Sequence, residues 1–285
     1  MKPLSIHPQT MLGSIHLRVA DLQAQTAFYR AIIGMELLSQ DPSHAVLGAG
    51  GRPLLHLVAH LGARRAEMRA GLYHFCIGVK ERLELGRLLS RLLDKGAMLD
   101  GLVDHRMAEA IYLKDPEGNG MELNWDRPRE AWPEFQTMLR LGNGPLDTEG
   151  LLGLVEDAGP GNGSLPADAW LSHIHLHVGD LKACTEFYHG LLGFDVMGEF
   201  PRQAVFTSAG GYHHHIAYNI WHGAGAQPAP AGALGLDHFS IVLPSPAELQ
   251  QEVDRLRQAR WEVEESQDGF LVMDPSRNAI LLRSK

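Results

Sequence analysis

The chain repeats itself. The stretch "SIHLRVADLQAQTAFYRAIIGM" from Ser14 matches "HIHLHVGDLKACTEFYHGLLGF" from His173. The shared displacement of 159 residues pairs Asp21 with Asp180, Phe28-Tyr29 with Phe187-Tyr188 and Gly34 with Gly193. The match resumes one residue out of step at "AGG", residues 49–51 and 209–211. It regains register at Asp115-Pro116 with Asp274-Pro275 and at Asn119 with Asn278. A duplicated sequence folds into two copies of one architecture, so this feature limits the fold before any single element is assigned.

A weaker period lies inside each copy. "HFCIGV" from His74 and "HFSIVL" from His238 open the same strand-then-helix layout as the two starts above. Asp21 is a helix N-cap and Gly34 a C-terminal stop in the first occurrence. In the fourth, Ser245 caps, Pro246 takes the first helical position and Glu248 completes a capping box. Short β-like runs separated by turns such as "DPEGNG" follow each helix. The predicted unit is β-α-β-β-β, present four times. Residues from about Arg127 to Ala169 break the pattern and are rich in Gly, Pro and acidic side chains, the composition of a connector. The expected division is an N-terminal domain over 1–126, a connector over 127–169 and a C-terminal domain over 170–285.

Composition narrows the function classes. A length of 285 residues suits two domains. A net charge of −9 argues against nucleic-acid binding, which needs a basic face. No apolar run of about 18 residues exists to span a membrane, and the start lacks the pattern of a secretory leader. Two cysteines, Cys76 and Cys184, make no disulfide framework, so a cytoplasmic setting is expected. The unusual count is sixteen histidines, the residue type most often used as a metal ligand. In "SHIHLHVGDL", His173, His175 and His177 fall on one face of a strand, with Ile174, Leu176 and Val178 on the other.

With "LRVADL…FYR…IGM", "LHVGDL…FYH…LGF" and "DPEGNGMELN", the sequence resembles the vicinal oxygen chelate superfamily: glyoxalase I, extradiol dioxygenases, and bleomycin- or fosfomycin-resistance proteins. "HIHLHVGDL", "AGGYHHHIAYN" and "GLYHF" together look most like the bacterial two-domain proteins assigned as catechol 2,3-dioxygenases. The resemblance implies an α+β fold of four βαβββ modules, paired into two glyoxalase/extradiol-dioxygenase-like domains with curled mixed sheets. It also implies a metal held by first-strand and last-strand residues, with open positions for two neighbouring substrate oxygens.

Carried onto this chain, the first-strand positions are Ser14, His74, His173 and His238. The last-strand positions are His56, Glu122, His215 and Leu281. Two histidines and one carboxylate form the facial set of non-haem Fe(II) oxygenases. Neither half offers the family's full set, since Ser14 and Leu281 interrupt it. The dense imidazoles of the C-terminal half favour His173, His215 and His238 as metal ligands, with His56, His74 and Glu122 as second choice. His213, His214 and His215 are the candidate acid/base groups. His175 and His177 are placed to orient ligands or meet substrate oxygens. Tyr112 corresponds by register to Leu271. His7, His44, His60, His105, His189 and His222 read as structural or exposed, and Cys76 as a buried apolar filler.

The implied activity is metal-dependent extradiol cleavage of an aromatic diol by O₂, with Fe(II) as cofactor and Mn(II), Zn(II) or Ni(II) as alternatives. The expected partners are a small aromatic substrate and O₂, with no nucleic acid and no membrane, and a homodimer left open. Two further readings stand beside it: a glyoxalase- or thiol-transferase-type metalloenzyme, and a non-catalytic small-molecule binding protein of the same fold.

Overall fold

A computed structural model describes residues 5–285. The order β-α-β-β-β occurs four times. The first quarter runs β1 (Met11–Val19), α1 (Leu22–Phe28), β2 (Glu36–Gln40), β3 (His44–Ala49) and β4 (Arg52–Ala59). The second runs β5 (Gly71–Val79), α2 (Arg82–Asp94), β6 (Leu99–Asp104), β7 (Ala108–Lys114) and β8 (Gly120–Asp126). The connector contributes α3 (Phe135–Leu141), β9 (Gly144–Pro145) and α4 (Thr148–Ala158). The third quarter holds β10 (Trp170–His177), α5 (Leu181–Thr185), β11 (Asp195–Phe200), β12 (Ala204–Ser208) and β13 (Ile216–Asn219). The fourth holds β14 (Gly235–Leu243), α6 (Pro246–Gln258), β15 (Glu264–Ser266), β16 (Gly269–Met273) and β17 (Ala279–Ser284). The fold is α+β with two mixed sheets of eight and nine strands. Among the described residues, no helix is long and apolar enough to cross a membrane.

Two compact units divide the chain. One comprises the chain up to Arg18, Ala63–Tyr73 and Ser172–Lys285. Within it β1 runs antiparallel to β14, with His16 opposite His238. β14 is parallel to β17, which continues antiparallel through β16 to β15. In the same unit β10 is parallel to β13, and β12 and β11 follow antiparallel. The leading strand of the first quarter is therefore bonded to the leading strand of the fourth. Hydrogen bonding does not follow the consecutive halves in which the repeat is written.

The second unit comprises Val19–Gly62 and His74–Leu171. There β4, β3 and β2 form an antiparallel run. β5 pairs parallel with β8, and β7, β6 and β9 extend it antiparallel. The connector is more structured than its composition suggests. Its α4 lies so close to α2 that a Cβ at Gly86 would sit 2.6 Å from the Leu151 carbonyl oxygen.

The helix ends match the sequence signals. The Asp21 carboxylate accepts from Ala24 N–H at 2.9 Å, and Gly34 terminates the helix with φ +86°. Ser245 accepts from Glu248 N–H at 3.2 Å, with Pro246 in the first turn. In both copies the helix ends in a π-turn, Tyr29–Ile33 and Glu186–Leu191. Each turn buries a tyrosine whose hydroxyl donates to the repeated aspartate: Tyr29 to Asp115 at 2.9 Å, Tyr188 to Asp274 at 3.0 Å. Asn119 and Asn278 hold the same carboxylates with side-chain and backbone N–H groups. The repeated Phe-Tyr and Asp-Pro motifs are thus two ends of one buried hydrogen bond, made twice. Burial pushes both carboxyls above their usual range despite these donors.

Candidate metal centre

In the second unit, the parallel pairing of β5 and β8 brings a histidine against a carboxylate. His74 Nε2 lies 3.2 Å from Glu122 Oε2, and both side chains are buried. Tyr112 on β7 stands directly opposite Glu122 in the ladder, with its ring 5.5 Å from and edge-on to that of His74. The Tyr112 hydroxyl is 2.7 Å from His105 Nε2, and His105 Nδ1 is 3.0 Å from Asn143 Oδ1 in the connector. A run of hydrogen bonds thus links the phenol through His105 to the connector. This arrangement fixes the phenol's direction. The sequence signal for it was the Tyr112/Leu271 contrast; His105, expected to be structural, is part of it.

In the first unit, β10 buries His173 at 1 % exposure. Ser172 Oγ lies 3.2 Å from His173 Nδ1. The His214 ring is 4.1 Å from the His173 ring, and that of His213 is 6.0 Å away. His213 and His214 share a hydrogen bond between their Nδ1 atoms at 2.8 Å, which requires one ring to donate and the other to accept. His215 is turned elsewhere: its Nδ1 accepts from Ala209 N–H at 3.2 Å and lies 3.0 Å from Ser208 Oγ. His238 bonds Asp237 at 2.7 Å through Nδ1 and stacks on His16 at 3.9 Å between centroids. In the second unit, His56 Nδ1 lies 3.2 Å from His44 Nε2.

Among the described residues, one group of three metal-ligating side chains comes together: His74, Glu122 and His173. Each offers a ligand atom, and the three atoms lie within 4.8 Å of one another, all on buried residues. The group takes His173 from the favoured set and His74 and Glu122 from the second. His215 and His238 lie outside it, because strand pairing sends β14 to β1 and the turn after β12 sends His215 to the backbone. The donor chemistry fits a divalent ion. Ligands at roughly 2.0–2.2 Å from one ion stand about 3.0–3.4 Å apart when adjacent, and the His74–Glu122 separation of 3.2 Å falls in that interval. Two imidazoles and a carboxylate leave coordination positions for substrate.

A duplicated βαβββ fold with a buried two-histidine, one-carboxylate set defines a class of metal-binding α+β proteins. The sequence profile described as Glyoxalase/Bleomycin resistance protein/Dioxygenase superfamily matches residues 11–123 and 170–275. The chain belongs to that superfamily. A catechol-2,3-dioxygenase of Bacillus subtilis (strain 168) is 42% identical over 284 residues, covering 97% of this chain and 98% of the relative. Among solved structures, a protein from Bacillus subtilis subsp. subtilis str. 168 superposes with a TM-score of 0.66 at 14% identity, over 98% of this chain and 86% of its own. Glyoxalase I from Zea mays superposes with a TM-score of 0.57 at 16% identity, over 96% and 92%. At such identities the structural likeness speaks to fold alone.

Proposed function

We propose that the protein is an extradiol ring-cleaving dioxygenase acting on an aromatic ortho-diol, with Fe(II) held by His74, Glu122 and His173. The observation that carries this reading is the buried His-His-Glu set with Tyr112 opposite its carboxylate. The relative that is 42% identical and named catechol-2,3-dioxygenase supports it. When bound, the ion supplies adjacent open positions for the two diol oxygens and O₂.

The chain's own groups do the rest. Glu122 contributes the single negative charge of the set, and its burial excludes water from the ion's protein side. Tyr112, aligned by His105, offers a phenol oxygen beside Glu122 that can hydrogen-bond a substrate oxygen. The His213–His214 pair, adjoining His173, is the candidate acceptor of the diol proton and its later donor, because imidazole works as acid and base near neutral pH. His215 is a weaker candidate for that role, since its Nδ1 is occupied by Ala209 N–H.

Aerobic assay of the iron-reconstituted protein with catechol and substituted catechols tests the reading. A yellow ring-opened product is expected with Fe(II), and not with Zn(II) in the same site, because zinc has no redox chemistry. Iron demonstrably bound with no turnover of any diol contradicts the proposal and favours a glyoxalase-type reaction at the same ligands.

A further inference from the structure

Two imidazoles of the histidine-rich strand lie beyond the metal centre. His175 and His177 share the face of His173 on β10, roughly 7 and 13 Å farther along at a strand's rise per residue. Asn219, opposite His177 in the β10–β13 ladder, orients both. Its Oδ1 accepts from Trp221 N–H at 3.0 Å, and a backbone N–H can only donate, so the amide's direction is fixed. His177 Nδ1, 2.9 Å from the same oxygen, therefore donates. His175 Nε2, 2.9 Å from Asn219 Nδ2, accepts.

These oriented rings support two large exposed ones. Tyr73 packs edge-on to His175 at 5.1 Å and tilted on His177 at 5.0 Å. Trp221 packs edge-on to Tyr73 at 5.0 Å and lies 5.2 Å from His175. Tyr73 is 40% and Trp221 45% exposed, whereas His175, His177 and Asn219 are buried. An aromatic face left in solvent next to a rigid, hydrogen-bonded support marks a contact surface. The repeat sharpens the point. Arg18 and Asp237 hold the positions corresponding to His177 and Tyr73, and they form an ion pair. Among the described residues, the aromatic face adjoins the strand of His173 and has no counterpart at Arg18 and Asp237.

We propose that Tyr73 and Trp221, backed by His175 and His177, form the specificity face for the substrate's ring substituent, so that the protein prefers ortho-diols bearing an apolar chain or a second ring. The inference rests on the dioxygenase reading. With the diol oxygens at the metal beside His173, one six-membered ring spans about the first step along the strand. A substituent across the ring from the diol then meets Tyr73 and Trp221.

The test uses the iron-loaded full chain and 4-alkylcatechols from methyl to butyl, with unsubstituted catechol alongside. For the natural sequence, kcat/KM should rise about fourfold for each added methylene. In Trp221→Ala and Tyr73→Ala the butyl-to-methyl ratio should fall about tenfold, a loss within the range that a hydrophobic pocket controls, and Trp221→Phe should retain part of it. A flat series in the natural protein, or an unchanged ratio in the alanine variants, overturns the specificity face while leaving the dioxygenase reading intact. Failure to turn over any diol, catechol included, removes both.

Discussion

Two sets of three positions correspond through the internal repeat, and among the described residues only one brings three potential ligands together. In the first, His74, Glu122 and His173 converge, with Tyr112 opposite the carboxylate. In the second, the corresponding residues are His238, Leu281 and Ser14, on the neighbouring strands β14, β17 and β1, with Leu271 opposite Leu281. Charges and hydroxyls near the second set bond one another and the backbone. Ser240 accepts from the Ser14 backbone N–H at 2.8 Å, His238 bonds Asp237, and Arg18 pairs with Asp237 while donating through Nε to the Ala233 carbonyl at 2.8 Å. The backbone frame is shared; the two sets differ at two of the proposed ligand positions and at one phenol.

The largest effect is expected from making the reactive copy resemble the silent one. Glu122→Leu, the residue found at 281, should cost more than ~100-fold in turnover by iron-supplied protein, beyond the loss typical when only a ligand's supporting partner is removed. Retained turnover would erase the distinction between the copies. Tyr112→Leu, matching Leu271, should keep its metal but lower kcat by about 100-fold, the scale of a positioned polar group acting in the transition state. A change confined to KM would reduce Tyr112 to a packing residue.

The shared frame should respond alike in both copies, and more weakly. Tyr29→Phe and Tyr188→Phe each leave a buried carboxylate short of one donor, at an expected cost of about 1–3 kcal/mol in chemical denaturation. If only one of the two destabilises, the copies are not mechanically equivalent. The smallest effect concerns the silent copy's ion cluster. Burial alone would raise the Asp237 carboxyl, but the His238 hydrogen bond and the Arg18 charge hold it below its ordinary value of 3.8. A carboxylate lowered in the folded state adds stability above the unfolded value that disappears as pH falls through the folded one. Melting temperature should therefore drop on acidification below about pH 4, and less steeply in Asp237→Asn. Equal slopes would show that the cluster contributes nothing.

Much of this was legible in the sequence. The 159-residue register, the caps at Asp21 and Ser245, and the four βαβββ units follow from local periodicity and turn chemistry, which the structure repeats. The grouping of His74, Glu122 and His173 was not legible, although all three were candidates. Each half of the sequence, taken alone, shows one defect, Ser14 in the first and Leu281 in the second. Strand pairing gathers both defects around His238, because β14 lies between β1 and β17. Which strand a strand chooses as partner is a tertiary property that no local pattern encodes. The density of imidazoles in the C-terminal half does not mark a group of converging ligands. Of the six histidines at 173, 175, 177, 213, 214 and 215, one joins the metal group, and the others make hydrogen bonds or ring contacts around it and along its strand. Periodicity places a side chain on a face; it does not say what the neighbouring strand brings to meet it.

Bound iron per chain, measured by elemental analysis after anaerobic loading and desalting, tests the central claim most directly. The natural protein and His238→Ala should each hold one ion, whereas Glu122→Leu and His173→Ser should hold close to none. Iron retained by Glu122→Leu and lost from His238→Ala would contradict the assignment and move the centre to the other copy.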